Sequence, residues 1–224
     1  MRSFGAPYSH TTQEAKAMCL IQRMAYFGWQ VALWCDVGLV GGGVKWFEWS
    51  GKRYWLIHEG LVAVVLDERW MGRWRDAGGA KRTAGRGAGA DNRNRAMALD
   101  IAGQGGRCGL TVVAGYAPVF APRKEAERQQ FHRCLRKVVR GTPRGNLLVV
   151  GGDMNVVAAL GNDRQYEGHV GPGASEGLPR GAQELMETCM EEGLAACSTW
   201  YQQSDPSTWY HPRSGTAAKL TTSW

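Results

Sequence analysis

The sequence of 224 residues has no long apolar run. Its longest clean stretch is the six residues 61–66, LVAVVL, far short of the roughly 20 residues that cross a bilayer as a helix. A membrane-spanning helix is therefore not expected. The six cysteines, Cys19, Cys35, Cys108, Cys134, Cys189 and Cys197, contain no C-x-x-C pair, which argues against a structural zinc site. No secretory signal precedes them, so they read as reduced, mostly buried thiols of an intracellular protein, nuclear or cytoplasmic. Internal repeats are absent too.

Tryptophan is abundant, with ten in the chain and seven of them between residues 29 and 74. The first third of the chain should thus supply much of a core. The net charge is +7 and the pI about 9.3. The excess is local: residues 71–146 hold 16 Lys and Arg against 5 Asp and Glu, and the remainder is net acidic. A basic zone on such a body suits a polyanion, although a solvated basic face gives the same count.

Periodicity gives the elements. Thr11-x-x-Glu14 has capping-box spacing. Ala17, Leu20, Ile21, Met24 and Phe27 then share one helical face, and Gly28 offers a stop. Strands are expected at 29–35, at 45–57 with a break at Ser50-Gly51, and at 61–66, 97–101, 110–116, 147–150 and 194–201. Helices are expected at 123–140, with Phe131, Cys134, Leu135, Val138 and Val139 inward, and at 180–192, closed by Gly193. Residues 78–95, rich in Gly, Ala and Arg without an apolar period, read as a flexible basic loop in a single domain spanning 1–224. Strands and helices interleave without strict alternation, which suggests an α/β (α+β) architecture of mixed sheets with helices outside.

The segment LLVVGGDMNVV, 147–157, carries the chemistry. A buried strand runs into two glycines, and Asp153 and Asn155 follow two residues apart, on one side of an extended chain. The glycines let the backbone turn and a ligand approach. Asp153 can take or orient the proton of a water, and Asn155 can donate to a phosphate oxygen. An Asp/Asn turn after a strand would look the same locally.

G-D-x-N after an apolar strand resembles the endonuclease/exonuclease/phosphatase superfamily, which includes deoxyribonuclease I. Gly115-Tyr116-Ala117-Pro118 matches that family's Y-x-P element at the expected distance upstream. The segments 160–163 (LGND) and 168–181, with Ser207-Thr208-Trp209, look like its retrotransposon-type and craniofacial-development-protein-like branch. The resemblance implies a four-layer sandwich of two mixed β-sheets flanked by helices, incomplete at both ends. It implies phosphodiester hydrolysis with Mg²⁺ or Mn²⁺ on nucleic acid, DNA rather than RNA; no membrane partner is expected, because no apolar run is long enough to cross a bilayer. Phosphatase action on a lipid or nucleotide headgroup also lies within the family. By the same resemblance Asp153 positions the attacking water, Asn155 and Tyr116 hold the phosphate, and Trp209 and Asn162 contact substrate.

Four parts of the family pattern are missing or changed. Residues 1–10 hold no Asn where the family opens with W-N. Where the family places a metal-binding glutamate, the chain has Trp34-Cys35-Asp36-Val37, leaving Asp36 as the candidate metal ligand, one methylene shorter. Leu220 is followed by Thr-Thr-Ser-Trp where the branch reads L-D-H or L-D-Y. His10, His58, His132, His169 and His211 all lack the context of the family's general base. Thr-Thr-Ser-Trp can be encoded ACC ACT TCC TGG, and one G restored before it reads GAC CAC TTC CTG G, Asp-His-Phe-Leu. A one-base deletion after the Leu220 codon is therefore expected, with the alternate reading frame as its check. These departures point to a weakly active or inactive enzyme, or to a catalytically dead nucleic-acid-binding remnant of the same fold.

Overall fold

The computed structural model describes residues 10–39, 41–84 and 94–200, together with two short strands at 209–210 and 217–218. Helix α1 (His10–Phe27) comes first. Strands β1 (Val31–Cys35), β2 (Gly42–Trp49), β3 (Lys52–Glu59) and β4 (Val62–Asp67) form a sheet ordered β1-β4-β3-β2, with every pairing antiparallel. Helix α2 (Glu68–Asp76) leads to a second sheet, β5 (Lys81–Thr83), β6 (Ala96–Ile101), β7 (Leu110–Tyr116) and β8 (Leu147–Asp153), ordered β5-β6-β7-β8. The mixed character resides in this second sheet. β5-β6-β7 is antiparallel, whereas β7 and β8 run parallel and are joined through α3 (Glu125–Arg140). Helix α4 (Gln183–Glu192) and the short pair β9 (Trp209–Tyr210) and β10 (Ala217–Ala218) complete the described elements.

The layers follow from where each apolar side chain goes. Along β4, Val62, Val64 and Leu66 point between the sheets, where they meet Met97, Leu99, Ile101, Val112 and Ala114. Their neighbours Ala63 and Val65 point outward beneath Ala17, Ile21 and Met24 of α1. A strand buried on both faces cannot alternate, which is why 61–66 reads as one apolar run. On the far side, Phe131, Leu135, Val138 and Val139 of α3 and Leu185, Met186 and Cys189 of α4 cover Ala96, Ala98, Val113 and Val150. Each fully buried aliphatic chain contributes about 1.5–3 kcal/mol. The result is helix, sheet, sheet, helix, the sandwich expected from the sequence.

Several local expectations change. Residues 81–83, expected in the basic loop, form β5, with Arg82 fixed on Asp100 by two hydrogen bonds of 2.8 and 2.7 Å; residues 85–93 lie outside the described residues. α2 was not expected: Asp67 caps it by accepting from the Trp70 N–H at 2.8 Å, and Met71 and Trp74 plug the rim of the inter-sheet core. Residues 194–200 form a 3-10 turn (Cys197–Thr199) and one bridge, Val170 to Ala196, in place of a strand. Phe27, expected inward on α1, is the helix's last residue and is 58% exposed, set against Tyr26 and Trp29 outside the core. The cysteines are free, but only Cys189 is buried, and Cys19, Cys108 and Cys197 are exposed. Among the described residues, no helix is long and apolar enough to cross a membrane.

Candidate active site

The site forms where β1, β7 and β8 end together. In the parallel β7–β8 register Tyr116 lies opposite Asp153. The backbone locks this arrangement, since the Ala117 N–H donates to the Asp153 carbonyl at 2.8 Å and the Tyr116 N–H to the Arg95 carbonyl at 2.8 Å. The two glycines before Asp153 have separate jobs. A Cβ on Gly151 would sit 2.3 Å from Cδ1 of Leu33, so the first glycine lets β1 of the other sheet close onto β8. Gly152 has φ +146°, and a Cβ there would lie 1.8 Å from the Gly115 carbonyl oxygen, so the second lets β7 and β8 touch backbone to backbone.

Asp153 is the last residue of β8, and Asn155 follows in a left-handed conformation, φ 52°. Their proximity therefore comes from a turn and not from the alternation of an extended strand. The Asn155 N–H donates to Oδ1 of Asp153 at 2.9 Å, and Nδ2 of Asn155 donates to the Ala117 carbonyl at 2.7 Å. That leaves Asn155 one amide N–H and its carbonyl oxygen for a ligand. Asp36, directly after β1, is also left-handed at φ 56°. Asp and Asn tolerate this region better than other side chains, and two such residues at one locus concentrate strain where ligands are handled.

Electrostatics tie the four residues together. Burial raises the Asp153 carboxyl above its usual range; the Asn155 N–H opposes this, and the negative charge of Asp36 adds to it. The Tyr116 phenol is pushed up to about 12 by burial, then by the charges of Asp36 and Asp153, with Arg95 pulling the other way. Two further residues enter that the sequence alone did not single out. The Cys35 thiol donates to the Gly115 carbonyl at 3.1 Å and is pushed up to about 12, chiefly by burial, so it stays neutral. Arg95 holds its guanidinium 5.5 Å from the Tyr116 ring centroid and pairs with Glu127 at 3.0 Å. A basic residue just ahead of a strand that pairs with the tyrosine's strand is the only sequence signal for Arg95.

Asp153, Asn155, Tyr116 and Asp36 are thus brought together. Asn162 stands apart: it is exposed, and its backbone carbonyl accepts from the Gln165 N–H at 3.3 Å in a 3-10 turn. Trp209 lies in β9, and its side chain is outside the described residues. The described histidines are placed elsewhere, His58 in β3, His132 between α3 and α4, and His169 against the Leu194 carbonyl. The basic zone is partly self-neutralised. Arg82, Arg95, Arg128, Arg136 and Arg140 pair with Asp100, Glu127, Glu184, Glu191 and Glu192 respectively.

Among the described residues, no group of three or more His, Cys, Asp or Glu is arranged to hold a metal ion. Asp36 and Asp153 nonetheless form a like-charged carboxylate pair, which a divalent cation would relieve. Mg²⁺ is commonly held by one or two carboxylates with substrate oxygens and waters completing its shell, so the residues present fit it.

Neither a family profile nor a curated protein matches the chain in sequence. Its fold matches solved structures. The humanized D. rerio TDP2 carrying 14 mutations aligns over 96% of this chain and 76% of its own, at 12% identity and TM-score 0.53. D. rerio TDP2 complexed with single strand DNA product aligns over 95% and 75%, at 10% identity and TM-score 0.53. The fold is the deoxyribonuclease I-like sandwich.

Proposed function

We propose that the chain is a divalent-metal-dependent phosphodiester hydrolase acting on nucleic acid, DNA rather than RNA, of mobile-element type and weak activity. The observation that carries this reading is the convergence of Asp153, Asn155, Tyr116 and Asp36 at the ends of three strands drawn from both sheets. The single strand DNA product in the D. rerio TDP2 structure supports a nucleic-acid substrate. The mobile-element type rests on the motif set around Asp153, Tyr116 and Trp209.

In this reading Asp36 and Asp153 would hold a divalent cation, which when bound would lend positive charge to the phosphoryl oxygens. Asp153 also orients the attacking water. The remaining Asn155 N–H and the Tyr116 hydroxyl, which keeps its proton, donate to the phosphate as charge builds on it. Among the described residues His58, His132 and His169 are engaged elsewhere, and without a general base the rate would fall by about 10²–10⁴.

That deficit favours one alternative, a protein that binds nucleic acid without cutting it. Nicking of supercoiled plasmid in Mg²⁺, beside Asp153→Ala, separates the two. Cleavage that disappears in the variant supports the hydrolase. Salt-sensitive binding without cleavage supports the alternative, and cleavage that persists in the variant sinks the assignment of Asp153.

A further inference from the structure

A second surface, at the other end of the first sheet, has the composition of a ligand groove. In the β1–β4–β3 register, Val31 at the start of β1 aligns through Leu66 with Trp55 near the start of β3. Cys35 at its end aligns through Val62 with Glu59. The β2–β3 hairpin at Ser50-Gly51 therefore lies at the pole away from Asp36. There, Trp49 and Lys52 are direct cross-strand partners. They share the face that carries Phe47 and Tyr54, which pack under α1.

Across from them, Cys19, Gln22, Arg23 and Tyr26 recur at the helical period on a flank of α1 adjoining its buried stripe of Ala17, Ile21 and Met24. Between hairpin and helix runs a cavity of about 680 Å³ lined by Cys19, Arg23, Tyr26, Trp49, Ser50 and Lys52 among others. Its lining carries two cations and no carboxylate. Its rings are exposed, Tyr26 at 83% and Trp49 at 37%. The aromatic surface continues beyond it, since Phe27 sits edge-on to Tyr26 at 4.9 Å and stacks on Trp29 at 5.0 Å, both well exposed.

Exposed rings beside two cations in a concave groove match one polymer in both respects. Unpaired bases stack on Tyr and Trp, and the phosphates between them answer Arg23 and Lys52. Double-stranded DNA answers only the cations, because its bases are already stacked. We infer that this α1–hairpin groove is a binding site for single-stranded nucleic acid, separate from the Asp153 centre. The inference does not depend on that centre being catalytic, and a strand held here contacts the domain at a pole remote from the carboxylates.

The test uses the full chain and a fluorescein-labelled dT oligonucleotide, followed by anisotropy at several salt concentrations in EDTA, with Asp153→Ala alongside. Tyr26→Ala leaves the core untouched and should weaken binding about tenfold, the usual loss for one stacked base. Arg23→Gln should flatten the salt dependence by about 0.7 in log–log slope. Asp153→Ala should bind like the parent. Far-ultraviolet circular dichroism establishes that each variant is folded. Oligonucleotide binding unchanged in both Tyr26→Ala and Arg23→Gln overturns the inference. So does binding lost in Asp153→Ala, which would locate the strand at the other pole. Binding to anionic phosphatidylserine vesicles that depends on Tyr26, with none to dT, overturns it in favour of a membrane surface.

Discussion

The glycine pair before Asp153 gives the sharpest test of how the site is built. Gly151→Ala and Gly152→Ala add the same methyl group to neighbouring residues, yet the surroundings differ in kind. At Gly151 the new Cβ meets the tip of Leu33, 2.3 Å away, and no unusual φ is demanded. A rotation of Leu33 off its preferred rotamer costs about 0.5–1.5 kcal/mol, and the stiffer unfolded chain returns about 0.4–1 kcal/mol. The net loss should be about 1 kcal/mol or less. At Gly152 the Cβ meets backbone, the Gly115 carbonyl at 1.8 Å, from a φ of +146°. Strain of about 1–3 kcal/mol adds to about 1–3 kcal/mol for prising β8 from β7. Gly152→Ala should therefore lose about 2–6 kcal/mol, a large part of the roughly 5–15 kcal/mol that holds a domain. At about 2–4 °C per kcal/mol for a chain of this size, its Tm falls by at least about 4 °C, while Gly151→Ala stays within a few degrees of the parent. Urea denaturation followed by circular dichroism measures both. Equal midpoints, or Gly151→Ala the weaker of the two, would refute the backbone-contact argument.

Three further outcomes are expected. Because burial and Asp36 raise the Asp153 carboxyl in the folded state, its contribution to stability is present at low pH and is lost as pH rises through the folded pKa. Asp153→Asn should then melt higher than the parent at pH 7 without metal. It should also lack the rise of about 2.7 kcal/mol that a cation at 100 times its Kd confers on the parent; a variant melting lower in EDTA would contradict this. Arg128, 1% exposed, pairs with Glu184 at 3.1 Å and with the Gly181 carbonyl, so Glu184→Ala strands a buried cation and should cost about 2–4 kcal/mol. Adding Arg128→Met should recover much of that, and a double variant no better than the single one counts against the explanation. Burial, then Arg128 and Arg136, lower the His132 imidazole to about 3. The unfolded chain takes up that proton near pH 6.5 while the folded one does not, so stability present above pH 6.5 is lost as pH falls toward 3. Between pH 7 and pH 5, His132→Phe should lose about 2 kcal/mol less than the parent, as measured by denaturant melts at the two pH values; equal losses would show that His132 is protonated in the fold.

The helices and strands with a strong period were legible in the sequence because burial alone sets them: α1, α3, α4 and the apolar strands β4, β7 and β8 follow directly from it. What escaped was set by single polar contacts. α2 depends on one Asp67 cap, and β5 on an Arg82–Asp100 pair that joins residues 18 apart. At the site, the resemblance of G-D-x-N and Y-x-P to a known family singled out Asp153, Asn155 and Tyr116, with Asp36 named by its place after the first strand, and the fold sets the four near one another. The route by which Asn155 reaches Asp153 was not, because a left-handed residue leaves no periodic trace. Arg95 and Cys35 were missed because their roles come from long-range placement, Arg95 through the register of β6 with β7 and Cys35 through the packing of β1 on β7 of the other sheet, which no local pattern encodes.

The parallel pairing of β7 with β8 has a kinetic side. An antiparallel hairpin such as β2–β3 can zip from its own turn, but Leu110 cannot find Leu147 until the intervening chain has doubled back and laid α3 on the sheet. Tyr116 and Asp153 therefore meet only at the end of the slowest long-range step in the second sheet. The first sheet, with its antiparallel pairs, can therefore form before the ends of β7 and β8 are brought together.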